Sequence, residues 1–98
     1  MVGTDRAMIV ARKFTINGRV QRVGFRWFAI EAATREGVTG WVRNLPDGRV
    51  ELLAEGEAEA VERFERAVRS GPASARVDDV ETDILAPTGR FHGFSSRG

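Results

Sequence analysis

The spacing of hydrophobic and polar residues predicts four β-strands in this chain. Ile9 to Asn17 and Arg49 to Glu55 alternate with a period of two, which is typical of strands with one buried face. In the second of these runs, the alternation turns Glu51 and Glu55 outward to solvent. Val38 to Asn44 and Arg76 to Leu85 are predicted as two further strands.

Two stretches between these strands have the spacing of amphipathic helices. From Phe25 to about Glu36, and from about Glu57 to Arg69, apolar residues recur three and four positions apart. Gly37 ends the first helix, and Ser70-Gly71-Pro72 ends the second. We expect Phe25 and Phe64 to lie in the core and Trp27 to be only partly buried.

The predicted order of elements is βαββαβ, which favours an α+β, ferredoxin-like sandwich: an antiparallel sheet with two helices packed on one face. A weakly patterned stretch at 91–94 adds at most a short edge strand. We expect a flexible N-terminal segment at 1–8 and one domain at 9–98, because 98 residues supply a single core.

Composition narrows the possible partners. The chain is 42% hydrophobic and 30% charged, as folded proteins are, and 15 basic against 14 acidic residues leave a net charge of +1. A general nucleic-acid binder usually carries a clear basic excess, so we expect no nucleic-acid partner. The absence of cysteine and of any apolar run long enough for a membrane favours a cytoplasmic monomer with no membrane partner.

The segment GRVQRVGFR, from Gly18 to Arg26, joins the first strand to the first helix. Backbone N–H groups at a helix start have no partner within the helix, and the helix dipole places positive charge there. Glycines allow successive amides to turn toward an anion, and the fork of Arg26 can bind two phosphate oxygens. The loop geometry alone leaves two interpretations open: a phosphoryl-binding loop, or a glycine-rich turn beside a solvated arginine.

Several other phosphate chemistries are excluded by sequence. A Walker loop needs four residues between its glycines and then Lys, whereas five residues separate Gly18 from Gly24, and Phe25 follows. A cysteine phosphatase loop is impossible without cysteine. His92, the single histidine, falls in the weakly patterned tail, where a surface position is more typical than a catalytic one. We expect no metal and no cofactor.

Together with GRVQRVGFR, the segment GWVRNLPDGRVE at 40–51 resembles the acylphosphatase family, and the resemblance extends from about Ile9 to Phe94. It implies hydrolysis of the carboxyl-phosphate bond, with Arg26 gripping the phosphate and Asn44 positioning the attacking water. It also implies a substrate-binding loop whose backbone comes from Val20, Gln21, Arg22, Val23 and Gly24. The implied partners are a small acyl phosphate and inorganic phosphate, as product and competitive inhibitor.

The chemistry of these residue types agrees with that reaction. Arginine and asparagine side chains do not exchange protons near neutral pH, so such a site needs a good leaving group. A carboxylate is one, since carboxylic acids have a pKa of roughly 4. Positioning and electrostatic stabilisation then supply most of the catalysis.

The sequence also leaves alternatives. Asn44 precedes a Leu-Pro-Asp-Gly turn and can cap it locally. Arg22 replaces the glycine usual in the family, which indicates either a positive φ or a backbone close to the ligand; we expect the second, with the side chain swung outward. The alternative functions are an RNA-recognition-like module, although the third strand carries no aromatic residue, and a non-catalytic phosphate-binding domain.

Overall fold

The computed structural model describes residues 8–98 and contains five strands and two helices in that range. Residues 1–7, most of the predicted flexible segment, lie outside the described residues, so the domain boundary stays a prediction. The elements in chain order are β1 (Ile9–Arg19), α1 (Phe25–Glu36), β2 (Thr39–Asn44), β3 (Val50–Glu57), α2 (Ala58–Ser70), β4 (Arg76–Leu85) and β5 (Phe94–Arg97).

The strands form one sheet in the order β4-β1-β3-β2-β5. Because β3 pairs antiparallel with both β1 and β2, these two strands run parallel to each other on either side of it. The ferredoxin-like prediction is confirmed. The sheet is not wholly antiparallel, however, since β5 pairs parallel with β2.

The position of β5 corrects the weak edge strand expected at 91–94. The strand covers Phe94–Arg97, and its pattern is weak because its one large apolar residue is Phe94. That ring packs 5.4 Å from the ring of Phe64 on α2, and Arg97 lies over the Trp41 ring at 4.8 Å. Tertiary contacts with α2 and β2 therefore stabilise a strand that local sequence barely specifies.

Both helices pack on one face of the sheet, along the apolar stripes that the spacing predicts. Phe25 and Phe64 are fully buried there against Phe14, Ile16 and Leu52 of β1 and β3. Gly37 and Gly71 end the helices, as predicted, each with a positive φ. In the described part of the chain, no helix is long and apolar enough to cross a membrane.

The opposite face of the sheet corrects one expectation. Glu51 and Glu55 do face away from the helices, but both are buried. The Glu51 carboxylate pairs with Arg43 at 2.7 Å, and Glu55 accepts hydrogen bonds from Thr88 and from the Gly89 backbone. The alternation of β3 correctly predicts that both glutamates lie on the face away from the helices. It cannot predict that a neighbouring strand and the segment before β5 cover these two side chains.

Candidate active site

Two chain segments meet at one edge of the sheet because β1 and β2 run parallel. The loop at 20–24 follows the end of β1, and Asn44 is the last residue of β2. Val50 of β3 pairs with both Ile16 and Asn44, so the three lie side by side across the sheet. One intervening strand places the backbones of β1 and β2 about 10 Å apart, which leaves space for a small anion between the loop and Asn44.

The loop presents unpaired backbone amides at the start of α1. Among residues 8–98, no protein group accepts a hydrogen bond from the N–H groups of 21–24. Gly24 is the N-cap of α1 with φ +78°, a conformation that glycine adopts without strain. The first turn of α1 carries no acidic residue, although acids usually stabilise that position. These features suit the binding of an external anion.

Gly18 lies where β1 bends toward the loop. The strand register shifts between Asn17 and Gly18, and a Cβ at Gly18 would collide with the backbone carbonyl of Arg76 on β4. Glycine thus allows β1 to stay paired with β4 up to the start of the loop.

Arg22 has φ +63°, and among residues 8–98 no other residue besides glycine has a positive φ. This corrects the expectation that the backbone is merely close to the ligand. The side chain is exposed, as expected, but the backbone lies in the left-handed region that favours glycine. A side chain in this conformation costs roughly 1–2 kcal/mol.

Two residues of the predicted binding loop hold the loop in place through other contacts. The Gln21 side-chain amide donates to the carbonyls of Leu45 and Arg49, at 2.8 and 2.9 Å. This ties the loop to the turn that follows Asn44. On the other side, the carbonyl of Val23 accepts a hydrogen bond of 2.8 Å from the Ser74 hydroxyl.

A pocket of about 230 Å³ lies at this edge of the sheet. Five residues predicted from the sequence share it: Val20, Arg22, Gly24, Arg26 and Asn44. Gln21 and Val23 do not line it. Phe25 and Trp27 do, and sequence reasoning missed both.

Trp27 is 67% exposed rather than partly buried. A signal for this was present in the sequence: position 27 is two residues, or about 200°, from Phe25 around the helix. It therefore falls outside the apolar stripe that begins at Phe25 and continues through Ala29 and Ala32.

Arg26 is exposed at the first turn of α1. One guanidinium nitrogen lies 3.4 Å from the Ser96 hydroxyl of β5, a long hydrogen bond. In the range 8–98, no carboxylate forms an ion pair with this guanidinium. Within that range, the positive charge of Arg26 is therefore not paired with a protein carboxylate.

The turn after Asn44 is closed by other groups. The Leu45 N–H donates to the Arg49 carbonyl at 2.8 Å, and the Asp47 carboxylate accepts from the Arg49 backbone at 3.0 Å. That backbone hydrogen bond lowers the pKa of Asp47. The Asn44 amide takes no part in the hydrogen bonds of this turn, which weighs against a capping role.

Two other titratable side chains, one on the segment before β5 and one on β4, do not line the pocket. His92 is exposed in the segment before β5, and Asp78 forms an ion pair with Arg76 at 2.9 Å on β4. Across residues 8–98, no three His, Cys, Asp or Glu side chains are grouped to hold a metal ion.

Comparison with known proteins relates this architecture to one family. Residues 12–96 match the acylphosphatase family model. The chain is 48% identical over 88 residues to an acylphosphatase from Anaeromyxobacter dehalogenans, covering 90% of this chain and 95% of the relative. It superposes with a TM-score of 0.87 on the crystal structure of acylphosphatase from Bacillus subtilis, at 37% identity, covering 93% of this chain and 100% of that one.

A similar unit occurs within a larger protein. The crystal structure of full-length HypF in the phosphate- and nucleotide-bound form matches with a TM-score of 0.82 and 26% identity. The match covers 95% of this chain and 12% of HypF.

Proposed function

This chain belongs to the acylphosphatase family and is an acylphosphatase enzyme, and we propose that Arg26, the backbone of 20–24 and Asn44 carry out its reaction. The observation that carries the proposal is that Arg26, Asn44 and residues of the loop line the same pocket. In this mechanism, water attacks the phosphorus atom directly, and no covalent enzyme intermediate forms.

The phosphoryl group is held by fixed donors. The unpaired amides of 21–24 point at its oxygens, and the Arg26 guanidinium binds two of them. These donors stabilise the charge that builds on the phosphoryl oxygens in the transition state. Gln21 keeps the loop at a set distance from Asn44, since its side chain bonds to both ends of the following turn.

Asn44 holds the attacking water. Its amide offers both a donor and an acceptor, so it can orient a water molecule across the pocket from the leaving group. The water oxygen forms a bond to phosphorus while the bond from phosphorus to the acyl oxygen breaks. The electron pair leaves on the carboxylate, and a phosphate oxygen takes the proton of the water.

We propose a small-molecule acyl phosphate as the substrate and inorganic phosphate as both product and competitive inhibitor, because the same donors bind both. The proposal needs no metal or cofactor, and we place the enzyme in the cytoplasm as a monomer. We propose that the enzyme binds neither nucleic acid nor a membrane. The outward side of β3 presents the buried carboxylates Glu51 and Glu55, which do not suit base stacking.

The test compares an acyl phosphate with a phosphate monoester. We expect benzoyl phosphate to be hydrolysed at least about 10³-fold faster than an alkyl phosphate, whose leaving alkoxide needs a proton donor. Hydrolysis of both at similar rates would contradict the proposed mechanism. Phosphate binding without hydrolysis of any acyl phosphate would favour the non-catalytic alternative.

The rate should also be nearly flat between about pH 5.5 and 7.5, because the proposed residue types do not titrate there. The pKa of Asp47 in the adjacent turn is already lowered by the Arg49 backbone, so its carboxylate stays ionised across this range. A bell-shaped profile across this range would mean that titrating groups take part in the reaction, and it would contradict the proposed mechanism.

Arg22→Gly is expected to stabilise the protein slightly and to change substrate capture. Removing a side chain at φ +63° relieves about 1–2 kcal/mol of strain, while glycine loses about 0.5–1 kcal/mol through the freer unfolded chain. The free energy of unfolding should therefore rise by about 0–1.5 kcal/mol. Maximal turnover should stay within a few-fold, and KM should rise at low salt and much less at high salt.

Arg22→Ala separates the two effects. It removes the same charge but keeps the strained backbone, so its KM should match that of the glycine variant while its melting temperature is lower. A severalfold gain in activity for Arg22→Gly at every salt concentration would show instead that the arginine impairs the loop.

A further inference from the structure

An exposed tryptophan lies beside the proposed phosphate pocket. Trp27 follows Arg26 in the first turn of α1 and lines the pocket together with Arg26 and Asn44. With 67% of its surface exposed, the side chain contributes little to the core, whereas Phe25 in the same turn is fully buried. An aromatic side chain that is exposed and lines a pocket offers apolar surface to the molecule that the pocket binds.

Trp27 also borders a second groove. This groove, of about 490 Å³, runs along the outward face of α1 and is lined by Trp27, Ile30, Glu31, Thr34 and Arg35. The spacing of three, four, seven and eight residues from Trp27 places these side chains on one helix face. The phosphate pocket and the groove therefore meet at Trp27.

We propose that Trp27 and the adjoining part of the groove bind the acyl group of the substrate and favour neutral aromatic acyl chains; this rests on the proposed function. With Asn44 holding the water, in-line displacement requires the acyl oxygen to leave on the far side of the phosphorus atom. The acyl group then projects from the pocket, and Trp27 is the apolar surface at its rim. The indole stacks against the acyl group and removes it from water.

The groove also indicates which acyl groups fit poorly. Glu31 lies one helical turn beyond Trp27 and repels an acyl chain that carries a second carboxylate. A two-carbon acyl group is too short to cover the indole, so it gains little from this surface. Selectivity should consequently appear as a difference between aromatic and short acyl phosphates.

The experiment compares Trp27→Ala with the unmodified protein on benzoyl phosphate and acetyl phosphate. We expect kcat/KM for benzoyl phosphate to fall about tenfold, mainly through KM, and that for acetyl phosphate to change less than twofold. Trp27→Phe, which keeps an aromatic face, should retain most of the selectivity. Inhibition by inorganic phosphate should stay unchanged in both variants, because the proposed phosphate contacts come from the loop amides and Arg26.

Ile84→Ala is the matched control, since Ile84 is 77% exposed on β4 and does not line either cavity. It should affect neither substrate, and thermal melting should show all three variants folded. Equal losses on both substrates for Trp27→Ala would overturn the acyl-site inference and leave the proposed function standing. Failure of the unmodified protein to hydrolyse either substrate would overturn both.

Discussion

Arg26→Ala should lower kcat/KM for an acyl phosphate by at least about 10³-fold and weaken inhibition by inorganic phosphate. Loss of a single neutral donor to a developing oxyanion already costs about 10²–10³ in rate, and Arg26 supplies two donors and a full charge. Steady-state kinetics with benzoyl phosphate, together with a phosphate inhibition constant, measure both effects.

The same substitution should leave the fold intact. Arg26 is exposed, and the one hydrogen bond of its side chain among residues 8–98 is the long contact with Ser96. A cation at the first turn of a helix opposes the helix dipole, so alanine should raise the free energy of unfolding by up to about 0.5 kcal/mol. Arg26 thus lowers the stability of the protein without ligand, because it adds positive charge to a helix end that is already positive. The same charge favours the binding of an anion there.

Two further variants sharpen the result. Arg26→Lys keeps the charge but lacks the planar fork, so it should recover little of the turnover. Arg66→Ala removes another exposed arginine, which lies on α2 and does not line the pocket, and should leave the kinetics unchanged. Near-normal turnover of Arg26→Ala would mean that the phosphoryl group is bound elsewhere.

Asn44→Ala should reduce kcat by at least about 10²-fold while the inhibition constant for phosphate changes less than about threefold. A water-positioning group acts on the reaction and not on resting phosphate affinity, and small errors in the position of a nucleophile cost about 10² in rate. Single-turnover measurements would separate the chemical step from substrate binding.

Asn17→Ala provides the control for Asn44. Asn17 lies near the end of β1 at the same edge of the sheet, is exposed, and does not line the pocket. Its loss should leave turnover within about twofold, as is usual for an exposed substitution. If Asn44→Ala instead lost turnover and phosphate affinity in equal measure, Asn44 would be a support for the loop.

The sequence by itself determined the two helices, the four long strands and their order. Each carries enough apolar residues at a period of 2 or near 3.6 to define its own buried face, as the helix stripe through Phe64 and the strand alternation through Leu52 illustrate. It also carried the loop as a candidate anion site, because glycines followed by an arginine at a helix start are typical of an anion-binding loop. Asn44 was a candidate only through the resemblance of GWVRNLPDGRVE to the acylphosphatase family. Local patterns suffice where one segment specifies its own conformation.

Only the tertiary structure decided the remaining features. The register of β3 between β1 and β2 sets the gap between the loop and Asn44, and no local pattern contains that distance. The burial of Glu55 depends on Thr88 and Gly89, more than thirty residues away. Likewise, β5 forms because the Phe94 ring reaches the Phe64 ring on α2. These properties arise from contacts between segments distant in the chain, so they exist only once the chain has folded.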